Sequence, residues 1–136
     1  MKDIAQLAAM AGAVIVEFRV TGEGTYVFLV GPEDREVTPE QIVEIQDFND
    51  DALWQMLAQF EGDTPIGGWL VNNDLFRCHQ LPLDEWLVYM EQTTRELYRW
   101  LLAPVHERLR QRYSEAKRLI LVPNKGLNSL TGKPLV

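Results

Sequence analysis

The chain has 136 residues, of which 46% are hydrophobic and 24% charged. That balance supplies enough apolar surface for one folded domain over residues 1–136 and excludes wholesale disorder. The formal net charge of −7 opposes nonspecific binding to nucleic acid or anionic membranes, and the single cysteine, Cys78, excludes an intramolecular disulfide or a multi-cysteine metal site.

The apolar run Ile4 to Ala13 is interrupted by Gln6, preceded by Asp3 and led by one basic residue, Lys2. It reads as a short helix, not a signal peptide. No apolar stretch is long enough to span a bilayer, and a reducing cytoplasm is the expected location.

Val14, Val16, Phe18 and Val20 alternate with Ile15, Glu17 and Arg19, the period of a strand with one buried face. After the turn residues 21–24, Tyr26 to Val30 is almost continuously apolar and predicts a partner strand buried on both faces. The two make an opening β-hairpin, closed by a second turn at Gly31-Pro32-Glu33-Asp34. Residues 38–47 support two readings. Thr38, Pro39 and Gln41 have the spacing of a helix start with a capping box, whereas Ile42, Val43 and Ile45 are β-branched and suit a strand. Asn49 or Asp50 then caps a helix running through Leu53, Trp54, Leu57 and Phe60 to about Gly62.

Residues 62–80 read as a long surface connection rich in Gly, Asn and Asp. A long helix is predicted over about 83–112. Leu83, Trp86, Leu87, Met90, Thr94, Leu97, Leu101, Val105 and Leu109 recur at spacings of three and four. Acidic residues open it, arginines close it, and Pro104 should kink or break it. A short strand at about 118–122 follows, ended by Pro123. The expected fold class is α/β: a partial sheet with helices packed over it.

No residue set points to chemistry. Cys78 and His79 are adjacent, so in an extended chain they face opposite ways and cannot pair as nucleophile and base. His106 lies far away among arginines, and no His and Cys spacing suits a metal. Gly126 to Lys133 misses the phosphate-loop pattern because five residues separate Gly126 from Gly132, and Pro134 follows Lys133. The basic cluster Arg108, Arg110, Arg112, Lys117 and Arg118 is interspersed with Glu107 and Glu115, the pattern of a solvated helix end. Trp54, Trp69, Trp86 and Trp100 read as core or interface residues, not a base-stacking platform. No catalytic, cofactor-binding or metal-binding residue is expected.

The helix from Trp86 to Val105, ending Glu96-Leu97-Tyr98-Arg99-Trp100-Leu101-Leu102-Ala103-Pro104-Val105, together with the following Arg118-Leu119-Ile120-Leu121-Val122-Pro123-Asn124-Lys125-Gly126-Leu127, resembles the helix and strand that recur in CHAT domains. These are caspase-like modules often found with tetratricopeptide repeats. The opening strands, 13–18 and 26–30, are similar to those that open such domains. The resemblance implies a partial caspase-like sheet and the front half of that domain. In the family, the strands carrying the catalytic His and Cys come later, whereas here the residues after Leu127 are Asn128 to Val136. Cys78, His79 and His106 match neither catalytic position, so no catalytic role carries over to them.

The resulting expectation is a noncatalytic interaction or assembly module that self-associates as a homodimer, with no nucleic-acid or membrane partner. Its expected interface is the strand Leu119, Ile120, Leu121 and Val122, or the tryptophan-rich helical face with Trp86 and Trp100. The alternatives are one half of a split cysteine peptidase completed by a separate chain, and a degraded remnant without selected activity.

Overall fold

The structure is a computed structural model that describes residues 2–124. It is a mixed α/β fold on a four-stranded sheet. Helix α1 (Lys2–Ala11) leads into β1 (Val14–Val20) and β2 (Thr25–Val30), an antiparallel hairpin with Ile15 opposite Val30 and Val20 opposite Thr25. Strand β3 (Ile42–Ile45) adds antiparallel to β2. The last described strand, β6 (Leu119–Val122), returns to lie parallel to β1, with Val14 opposite Leu119 and Glu17 opposite Val122. The sheet order is therefore β3-β2-β1-β6. A parallel neighbour needs a crossover, which the intervening helices supply.

Both readings of residues 38–47 are realised in succession. Pro39–Gln41 forms one 3₁₀ turn with the Thr38–Gln41 capping box, and the chain then extends as β3. The turn ends where the β-branched residues begin, because Ile42, Val43 and Ile45 gain more from the sheet than from continuing a helix.

Helix α2 (Asp50–Leu57) starts on Asn49, whose side chain accepts from the Ala52 N–H at 2.9 Å. It stops at Leu57, short of the predicted Gly62. Phe60 instead lies in β4 (Gln59–Glu61), which pairs with β5 (Thr64–Gly67). The expected surface connection over 62–80 is thus corrected twice: its first part is a hairpin arm and its second is helix α3 (Trp69–Arg77). Gly68 caps that helix with φ of 94°, and a Cβ there would lie 2.7 Å from the Leu57 carbonyl oxygen. Only glycine fits so close a left-handed turn.

The long helical segment over 83–112 is present but divided into α4 (Leu83–Leu97), a π-helical turn at Tyr98–Leu102 and α5 (Ala103–Arg112). Pro104 has no N–H to give the Trp100 carbonyl, and its ring crowds that carbonyl. The preceding turn widens to accommodate it, so the Ala103 N–H reaches the Tyr98 carbonyl five residues back.

The larger core lies on one face of the sheet. Val14, Val16, Phe18, Val27, Leu29, Val43 and Ile45 meet Leu53, Leu57, Trp69, Trp86, Leu101 and Val105. On the opposite face, α1 places Ala5 and Ala8 against Ile15 and Val30, with Ile120 at the margin. Strand β1 is consequently buried on both faces, Arg19 excepted, rather than on one as its alternation predicts. The helix periodicity also needs correction. Leu83 and Leu87 are exposed, and Thr93 rather than Thr94 faces inward, because the buried face of α4 is set by Trp86 and its aromatic neighbours. Among the described residues, no helix is long and apolar enough to cross a membrane.

Candidate functional site

Four places merit comparison: the residues with reactive side chains, a polar network at one end of the sheet, the edge strand β6 and the surface around Trp100.

Cys78 is exposed at the C-terminal end of α3, and His79 follows in a left-handed conformation with φ of 59°. His106 lies on α5, where its Nδ1 is 3.3 Å from the Tyr98 hydroxyl. No hydrogen bond joins Cys78 to either histidine among the described residues, so the three do not form a nucleophile and base. Among the described residues no group of three His, Cys, Asp or Glu side chains is placed to hold a metal ion. Glu17 is the buried carboxylate of the sheet. Its Oε1 accepts from Arg19 Nε at 3.1 Å, and its Oε2 has no partner among the described residues.

At the chain-entry end of β1 a depression of about 650 Å³ is bordered by Gly31, Asp34, Arg112 and Tyr113. Asp34 Oδ2 accepts from the Gly31 N–H at 2.7 Å, from Gln41 Nε2 at 3.1 Å and from the Tyr113 hydroxyl. The Tyr113 ring lies over Gly31 so closely that a Cβ there would be 2.5 Å from Cε1. This network ties the 31–41 loop to the end of α5. It consumes its own polar groups internally, which is the arrangement of a structural clasp. Nothing in the sequence announces it, since Asp34 and Tyr113 are 79 residues apart.

Burial raises the Tyr113 phenol above its ordinary value, and the hydrogen bond to Asp34 adds to the effect. Burial likewise raises Tyr89, opposed by side-chain hydrogen bonds with Thr93 and Asn72. A raised folded-state pKa favours the protonated phenol in the folded protein. The associated stability is complete below the ordinary phenol value of about 10 and is lost as pH climbs through the raised values. Absorbance titration should show Tyr113 and Tyr89 ionising at higher pH in the folded protein than in urea. Tyr113→Phe should remove one of these late components, and its persistence in that variant would contradict the assignment.

Strand β6 forms one edge of the sheet among the described residues, with β1 on its inner side only. Leu119 is 51% exposed, Leu121 48% and Val122 37%. Ile120 is half-buried because it points to the α1 side. Residues 119–122 therefore run apolar without the two covered faces that such a composition predicts.

The tryptophans separate into different roles. Trp86 is buried, stacked on Phe76 at 5.0 Å between ring centres and 5.4 Å from Trp69. Its ring is committed to the fold, which removes it from the expected interface. Trp100 is half-buried and stands between two adjoining surface depressions. Trp54 is exposed on α2.

Neither a protein-family model, nor a curated protein, nor a solved structure matches this chain.

Proposed function

We propose that this chain forms CHAT-type sheet structure that acts as an assembly module, and that its contact surface is the outer edge of β6. The supporting observation is the edge itself. Four consecutive residues, Leu119 to Val122, lack a charge or a proline, and three of their side chains are substantially exposed. Sheet edges in stable monomers are commonly blunted by lysine, proline or bulges. An unblunted apolar edge offers unpaired N–H and C=O groups to an incoming strand, and the side chains add burial. The caspase-like reading is consistent with this placement, because further strands of such a sheet would extend from the same edge.

The proposed partner is a second copy. A two-fold axis beside β6 brings two such strands together antiparallel, satisfies both edges and closes the assembly. The net charge of −7 opposes open-ended growth.

Light scattering after gel filtration tests this reading. A dimer is expected on the order of tens of micromolar, the range in which a modest interface is occupied. Leu121→Lys should convert it to a folded monomer. Leu121 is the better probe than Ile120, because a lysine at Ile120 also disturbs the packing against α1. A wild-type monomer, or a Leu121→Lys variant that remains fully dimeric, contradicts the proposal.

A further inference from the structure

We infer that the groove on both sides of Trp100 binds an extended, positively charged peptide segment of a partner protein. This site adjoins β3, at the sheet edge opposite β6, and does not depend on the assembly described above.

Two depressions of about 480 and 640 Å³ meet at Trp100 and Asp47, which line both. The first lies between α2, α3 and α4, and the second runs from Trp100 to Glu44 and Pro104. Sharing Asp47 and Trp100, they adjoin as one open surface groove that reaches from Gly68 to Pro104, a span that suits a chain segment. Its floor is firm. Gly68 fixes the start of α3, and its carbonyl accepts from Asn72 Nδ2 at 2.8 Å. Tyr89 stacks on Trp69.

The chemistry of the walls specifies the ligand. Gln55 and Gln92 line the first depression, and neither side chain has a hydrogen-bond partner among the described residues. A free carboxamide both donates and accepts, which matches the N–H and C=O groups of a peptide backbone. Asp47 and Glu96 contribute carboxylates that enter no ion pair among the described residues, and this depression has no Lys or Arg on its walls. The second adds Glu44 and a single cation, Arg99, whose guanidinium sits 5.4 Å from the Trp100 ring centre. The groove is therefore net negative with an aromatic wall at its midpoint. Such a site selects Lys or Arg, whose charged ends pair with the carboxylates while their apolar stems pack along the wall of the groove.

Selection of phage-displayed random hexapeptides on the full chain tests the inference. Lys or Arg should be enriched at one or more positions of the recovered peptides. A fluorescein-labelled peptide from that selection should lose about tenfold in affinity on Asp47→Asn with Glu96→Gln, a change at two exposed, isosteric positions. Trp100→Ala should weaken binding as well. Circular dichroism checks that each variant is folded, and the double charge variant carries the test if Trp100→Ala is not. Recovery of no peptide, enrichment without basic residues, or unchanged binding by the double variant overturns the inference.

Discussion

Replacing Phe48 by alanine is expected to cost about 3–5 kcal/mol, the usual cost of emptying a large aromatic site in a packed interior. Phe48 is 1% exposed, in the segment between β3 and α2, and belongs to the larger core. Its carbonyl also accepts the Thr25 hydroxyl at 2.6 Å, which fixes that segment to the sheet. Domains of this size are stable by only about 5–15 kcal/mol, so the variant should lie close to the unfolding threshold. Urea titration should show a lower midpoint with an unchanged slope. A loss below about 1 kcal/mol would place the ring outside the core. Leu97→Ala should cost less than Phe48→Ala, since Leu97 is only half-buried on α4.

The second large effect is expected at Asp34. Asp34→Ala removes the acceptor shared by Gly31, Gln41 and Tyr113. Gln41 is 1% exposed and keeps only its bond to the Leu29 carbonyl, so one amide hydrogen is left buried without a partner. A loss of about 1–3 kcal/mol follows from leaving such a donor unsatisfied. Asp34→Asn should fall between the wild type and Asp34→Ala, because its amide oxygen still accepts. The exposed neighbour Glu33 is the control, and Glu33→Ala should stay within about 0.5 kcal/mol. Thermal unfolding of the three variants decides the matter. Equal stability of Asp34→Ala and Glu33→Ala would show that the clasp does not hold the loop.

Elements whose signals are local can be read directly from the order of residues. The alternation of Val14 to Val20, the apolar run of Tyr26 to Val30 and the turn residues between them specify a hairpin, because side-chain direction reverses at every strand residue. The cap at Asn49 or Asp50, the long apolar period beyond residue 83 and the disturbance at Pro104 are likewise local, set by hydrogen bonds within a turn or two. Residues 38–47 carry two adjacent local signals, a capping turn and a β-branched strand, and both form.

Tertiary structure decided whatever depended on partners distant in the chain. Whether β1 is buried on one face or two is settled by α1, which covers Ile15. The exposure of Leu119 and Leu121 is settled by where β6 sits in the sheet, since the same apolar residues would suit an interior strand. The choice between Trp86 and Trp100 as a surface residue depended on the Phe76 and Trp69 rings of a helix that the Gly, Asn and Asp content had concealed. In that segment, packing outweighed the weak helix propensity of Asn72, Asn73 and Asp74. The Asp34–Tyr113 clasp and the groove beside Trp100 join residues with no shared periodicity. No pattern along the chain encodes them, because the free energy that creates them exists only once the helices and the sheet have met.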